Sequence, residues 1–219
     1  MAKSQMAPPS AHHVRYVRLN ALHVLLVLLL FSLWAPPIQS IPTGIGSSAN
    51  DGCLCHGSQS NQTTTSLIGL PDTYESNQSY AITLAIDSTV EQTENAAQGG
   101  FRLRIDQGSI VFENQSHAQI LDDGWTHTLA GNQQRIWNFT WISPLDNQTT
   151  TTFTAHGNAV NGNENSMGDV WNSFQLTIPG AAYTGEVVQP EVVIFEYSNF
   201  TVILIGLSVM FLLLYFAVR

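Results

Sequence analysis

Between two apolar ends, the chain alternates apolar and polar residues with period two and nowhere sustains a period near 3.6. A period of two places every second side chain on one face, so the middle of the chain is committed to strands with one buried side. Tyr80, Ile82, Leu84 and Ile86 alternate with small or polar neighbours. Phe101, Leu103 and Ile105 do the same, with Arg102, Arg104 and Asp106 on the opposite face. Trp137, Phe139 and Trp141 make an aromatic face that Pro144 ends. Phe153 and Ala155 continue the pattern, and Val170, Asn172, Phe174, Leu176 and Ile178 close it. Residues 66–70 and 109–112 read as shorter strands. Pro71-Asp72, Gly99-Gly100, Asp122-Asp123-Gly124 and the Asn-rich stretch 157–168 supply turn chemistry between the runs. The expected fold is all-β, an antiparallel β-sandwich of two packed sheets.

The ends read as targeting segments. Lys3, Arg15 and Arg18 precede an apolar run over 21–35, followed by Pro36-Pro37 and the small residue Ser40. This is the layout of a secretory signal over 1–40 with an N-terminal signal helix, and an uncleaved signal anchor is the alternative. Residues 199–219 read as one C-terminal transmembrane helix: 200–218 are uncharged, Phe195 and Tyr197 sit where an aromatic belt would, and Arg219 follows. Between the ends the reading gives a Cys-His loop over 41–65, the sandwich over 66–179 and a stalk over 180–198. A lipid-anchor signal at Gly180-Ala181-Ala182 would need a shorter spacer than the one present. The expectation is a single-pass protein of the cell membrane with its sandwich outside. Asn61, Asn77, Asn114, Asn138, Asn147 and Asn199 each head an Asn-x-Ser/Thr sequon, consistent with an exported glycoprotein.

Charge narrows the partners. The chain carries a net charge of −9, and Arg102, Arg104 and Arg135 are its only cations between Arg18 and Arg219. So acidic a segment repels phosphate backbones, which excludes nucleic-acid binding. Catalytic signatures are missing as well: there is no nucleophile elbow, no His-Glu-x-x-His and no Gly-rich phosphate loop. The chain is read as a non-enzyme.

The only two cysteines stand in Cys53-Leu54-Cys55-His56-Gly57. Three uses compete for them. Covalent haem needs two thioether sulfurs and a following His on iron, although the spacing here is one residue shorter than Cys-x-x-Cys-His. A copper or zinc site would use the thiolates and imidazoles directly. Disulfides, strained within Cys-x-Cys, would join separate chains. For a second ligand, His127 lies beside an aromatic in Gly124-Trp125-Thr126-His127-Thr128. His156 is a lesser candidate, His117 reads as solvated, and Met167 is a weak axial one. Asn158, Asn161, Asn163, Glu164, Asn165 and Asp169 are dense enough in oxygen to suggest calcium, though an Asn/Gly-rich turn accounts for them equally.

With these residues placed, residues 51–178 resemble a family of bacterial and archaeal surface domains related to the reelin N-terminal (reeler-like) sandwich. They are called choice-of-anchor domains because their C-terminal anchor varies. The resemblance rests on the opening Cys-His motif, Gly69-Leu70-Pro71, Tyr80 and Gly100-Phe101. It continues through His127-Thr128, Trp137-x-Phe139-x-Trp141 with Pro144, Phe153, Gly157-Asn158-x-x-Asn161-Gly162 and Gly168-Asp169. It implies a reeler/immunoglobulin-like sandwich with one haem c site: Cys53 and Cys55 as attachment groups, His56 as proximal ligand and His127 as distal ligand. The expected role is electron transfer or sensing with a redox partner protein. The alternative is a cell-surface adhesion or structural module whose Cys53 and Cys55 form disulfides.

Overall fold

The computed structural model describes residues 41–53, 57–190 and 197–218. The segment 1–40, with its expected signal helix, and Leu54, Cys55, His56, Phe195 and Arg219 lie outside the described residues. Two units are separable, one spanning Ile38–Val192 and the other holding the C-terminal helix.

The first unit is the sandwich. Its ten strands are β1 (Ser58–Gln59), β2 (Thr63–Ile68), β3 (Ser79–Ser88), β4 (Gly99–Ile105), β5 (Ser109–Phe112), β6 (Ala118–Leu121), β7 (Gly124–His127), β8 (Ile136–Ile142), β9 (Thr150–Ala159) and β10 (Val170–Pro179). They form a six-stranded sheet in the order β1-β10-β9-β4-β7-β6 and a four-stranded sheet in the order β2-β3-β8-β5. All pairings are antiparallel except the short β1–β10 contact.

Alternation decides which side chains meet. Along β8 the buried residues are Trp137, Phe139 and Trp141, along β3 Ile82, Leu84 and Ile86, and along β9 Phe153, Ala155 and Ala159. The aromatics bind one sheet to the other. Trp141 on β8 meets Phe153 on β9 edge-on at 5.0 Å between ring centroids, and Phe101 on β4 meets Trp137 at 4.8 Å. Each such ring buries a large apolar surface, and favourable tilted or edge-on geometry adds to that gain. Tyr74, fully buried, donates its hydroxyl to the Thr149 carbonyl at 3.0 Å and so ties the β8–β9 loop to the core.

Three features differ from the sequence reading. Gly99 and Gly100, read as a turn, lie inside β4 and pair with Ala159 and Asn158 of β9. Strand pairing begins at Ser58 and Thr63, inside the stretch read as loop. The start of the stretch read as stalk is bonded back to the sandwich: the Gly180 and Ala182 amides donate to the Thr149 and Asn147 carbonyls, and Gln189 brackets the Thr177 backbone.

The second unit contributes helix α1, Tyr197–Val218, 22 residues. Ile203, Leu204, Ile205, Leu207, Val209, Met210, Phe211 and Leu212 are all exposed on it. Side chains at 197–200, 202, 213–214 and 216–218 are not described, and among the described residues no helix is long and apolar enough to cross a membrane.

Candidate functional site

The outer face of the larger sheet is not open. Residues 41–53 run across it as a strap, held by side chains that point away from the core. In β4, β7 and β9, Arg102 lies opposite Thr126 on one side and His156 on the other, so the three share that face. The Ile45 amide donates to Thr126 Oγ1 at 3.1 Å, and Asn132 Nδ2 donates to the Pro42 carbonyl at 3.1 Å. The Ser47 amide donates to Asp122 Oδ2 at 2.6 Å, and this bond holds the Asp122 carboxyl below the usual carboxylate range.

Asn50 is the hub of the strap. Its Oδ1 accepts from Arg102 Nε at 2.9 Å, and its carbonyl accepts from His156 Nε2 at 2.9 Å. Arg102 spends its remaining donors on the Leu121 carbonyl at 2.7 Å and on Asp123 Oδ1 at 2.5 Å, with its side chain fully buried. Arg104 adds a second contact to Asp123 at 2.7 Å. Arg135 works similarly elsewhere, donating to the carbonyls of Gln98, Val90 and Val160. With so few cations, the sandwich uses Arg102 and Arg135 as multi-donor staples, a task suited to the forked guanidinium.

The strap closes a cavity of about 50 Å³ against the sheet. Cys53 and His127, 74 positions apart in the chain, both line it, together with Gly100, Asn132, Asn158 and Ile45. Gly52 delivers Cys53 to this place. Its φ of +129° suits glycine, and a Cβ there would collide with the Trp171 ring. Gly100 seats His127: a Cβ on it would stand 2.5 Å from Cε1 and 2.8 Å from Nδ1 of the ring. Gly100→Ala should therefore push the ring off its seat, at about 1–3 kcal/mol of stability. Amide exchange checks this, since Phe101 should lose protection; unchanged protection would show that the ring does not depend on the glycine.

The electrostatics of the two buried histidines differ from simple ligand geometry. His127 Nδ1 accepts the Phe101 backbone N–H at 3.1 Å, which places the ring proton on Nε2. Ligation through Nε2 requires that proton to move and the bond to Phe101 to break. His156 has both nitrogens engaged, Nε2–H with the Asn50 carbonyl and Nδ1 with Ser173 Oγ at 2.7 Å. Burial pushes its pKa below the ordinary histidine value despite the Asn50 bond, so it is neutral and structural.

The other candidates stay apart from the cavity. His117 pairs with Asn114 at 3.1 Å, and Met167 is 77% exposed. In the Asn-rich loop, Oδ1 of Asn161, Asn163 and Asn165 accept the amides two residues on, at 3.1, 3.0 and 2.8 Å. Those oxygens close the loop on itself, and calcium is not needed to explain their density. Among the described residues no cluster of three or more His, Cys, Asp and Glu could hold a metal. Cys55 and His56, the remaining members of the expected site, lie outside the described residues.

The cavity of about 50 Å³ lined by Cys53 and His127 is smaller than the roughly 300–1,000 Å³ of pockets for small ligands; Cys55 and His56, on which haem attachment turns, lie outside the described residues. Asn158 entered the sequence reading only as an oxygen donor of the Asn-rich loop; its place in one cavity with Cys53 and His127 was not foreseen.

No family model and no curated protein matches the chain. Solved structures do. The human F-spondin reeler domain is 13% identical, with 61% of this chain and 99% of that one covered at a TM-score of 0.40. A conjugate transposon protein of Bacteroides vulgatus is 14% identical, covering 58% and 92% at 0.34. AggA, the major subunit of aggregative adherence fimbriae type I from Escherichia coli, is 12% identical, covering 56% and 97% at 0.34. The sandwich itself rests on the strand pairing described above, independently of these likenesses.

Proposed function

We propose that the chain is a membrane-anchored, outward-facing β-sandwich that holds one metal ion, copper or zinc, between its strap and the outer face of the larger sheet. The observation that carries this reading is that Cys53 and His127 line one small cavity. A thiolate and an imidazole are the ligand pair both metals favour, and a cavity of this size suits a single ion. Cys55 and His56, next along the chain, are the natural further ligands. Copper would supply one-electron transfer or sensing with a redox partner protein, and zinc a purely structural clamp.

The anchor reading draws on the sequence and on α1. The 22 residues of α1 rise about 33 Å, and the apolar length that a span needs comes from the full sequence over 200–218, which includes side chains outside the described ones. The uncharged run over 200–218 and the exposed apolar side chains at 203–212 suit lipid better than water. The segment 1–40 would export the sandwich.

Loading should break the Phe101–His127 hydrogen bond, because a ligating Nε2 must surrender its proton to Nδ1. Zinc titration of the full chain, followed by NMR of the Phe101 amide and the His127 ring, tests this. The expected result is saturation at one equivalent with the His127 tautomer reversed. A tautomer that stays fixed while zinc binds would remove His127 from the ligand set.

A further inference from the structure

On the side away from β9, β10 has a neighbouring strand over only part of its length, since β1 reaches Val170 and Trp171 and no further. Beyond that point its outward backbone groups are met one at a time. The Ser173 amide donates to Asn172 Oδ1 at 2.8 Å, and the Pro179 carbonyl accepts from the Tyr74 amide at 3.0 Å. Between them the stalk holds Thr177: its amide donates to Gln189 Oε1 at 2.9 Å, and its carbonyl accepts from Gln189 Nε2 at 2.8 Å. Used this way, a carboxamide takes the place of one residue of a neighbouring strand. Backbone groups alternate in direction along an antiparallel strand. The N–H and C=O of Gln175, and the C=O of Ser173, therefore point the same way as those of Thr177, with no strand beside them.

We propose that the Ser173–Thr177 edge of β10 is a pairing site for a second copy of this chain, and that Gln189 is the latch that keeps it closed. A row of unpaired N–H and C=O groups is a template for another strand, and the latch cuts this row short at Gln175. Releasing Gln189 adds Thr177 and makes the row self-complementary about a two-fold axis through Gln175. Gln175 of one copy then exchanges both hydrogen bonds with Gln175 of the other, and each Thr177 N–H reaches the opposite Ser173 C=O. Only the Thr177 C=O goes without, because the Ser173 N–H stays with Asn172. Charge favours this meeting as well. Residues 170–179 include no Asp, Glu, Lys or Arg in a chain of net charge −9, so two copies can approach here without like charges opposite each other. Such pairing uses none of the residues around the Cys53 cavity and is independent of any metal there.

The test uses full-length chain in detergent with a reductant present, so that cysteine cross-links play no part. Sedimentation gives the mass, and amide exchange is followed at low and high protein concentration. In the wild type, Thr177 should be protected and Gln175 exchange fast at both. Gln189→Ala should associate about ten-fold more tightly, the equivalent of one good hydrogen bond. Its Thr177 amide should exchange fast when dilute, and Thr177 and Gln175 should both become protected as concentration rises. Adding Gln175→Pro removes an outward N–H at an edge position, where proline is tolerated, and should restore the wild-type mass. If that variant does not fold, exchange at Gln175 in Gln189→Ala decides the matter. A Gln189→Ala chain that keeps the wild-type mass, with Gln175 exchanging fast at every concentration, would overturn the proposal. Association that leaves Gln175 unprotected would overturn it too, because the interface would then lie elsewhere.

Discussion

Trp141→Ala should cost the sandwich about 3–5 kcal/mol, read as a fall in the urea midpoint at unchanged slope. Trp141 is fully buried near the C-terminal end of β8, between Tyr80 of β3 and Ile110 of β5 in register. Its ring stacks on Tyr80 at 5.4 Å and meets Tyr74 and Phe153 edge-on at 5.5 and 5.0 Å. Its Nε1–H also donates to the Gln107 carbonyl at 3.2 Å, which fixes the turn between β4 and β5. Alanine would leave a cavity bounded by four aromatic or backbone surfaces that cannot close together, since both sheets are held by their other strands. Against a total of about 5–15 kcal/mol for a domain, this loss alone threatens folding. Trp141→Phe keeps the ring contacts and drops the hydrogen bond, so it should cost clearly less. A loss under about 1 kcal/mol for the alanine variant would mean that the two sheets do not pack through this ring.

Arg102→Met should cost about 2–3 kcal/mol, and for a different reason, the loss of charge-assisted hydrogen bonds. The guanidinium joins Asn50, the Leu121 carbonyl and Asp123 from a fully buried position. Methionine fills much of the space but satisfies none of those acceptors; the strap loses its tie at the half-buried Asn50, whereas Asp123, 48% exposed, can turn to water. Arg102→Lys should not rescue the loss, because one ammonium cannot reach three acceptors in a fork. The damage should also be local. Hydrogen exchange should speed up at Asn50 and Ala49, whose amides bond within the strap to Ser47 and Gly46, more than in β3 or β8. Uniform exchange across both sheets would show that Arg102 supports the core and not the strap.

The strands that alternate strongly were legible before any coordinates: β3, β5, β8 and β10 lie where Ile82, Ile110, Phe139 and Phe174 place them. Two other features were hidden for physical reasons. Gly99 and Gly100 have no side chains to alternate, so a strand segment looked like a turn. In β6, Ile120 and Leu121 are 64% and 40% exposed, which is the signature of an edge strand and erases the buried-face pattern. The facing of Arg102 away from the core was readable from period two. Its burial was not, because the strap that covers it comes from Asn50, 52 positions upstream.

The site was legible only in part. His127 was placed by resemblance to a family motif, and its meeting with Cys53 depends on β7 lying beside β4, an order that no local pattern contains. Asn158 could be seen as a polar residue in a Gly-Asn motif. That it lines the same cavity depends on every neighbour around it, and no sequence pattern carries that information. The scarcity of cations was an available signal. Three arginines in an otherwise acidic sandwich had to be doing something other than solvating its surface, and two of them are buried staples.

The most direct test of a single metal ion between strap and sheet is elemental analysis of the purified full chain, paired with a visible spectrum before and after denaturation. The expected result is one copper or zinc per chain, released on unfolding, with no porphyrin band and with the metal lost in Cys53→Ser. A porphyrin band that stays with the denatured chain would establish covalent haem and contradict the account. A colourless, metal-free chain that runs as a reducible dimer would contradict it equally, and would make the sandwich a cross-linked surface module.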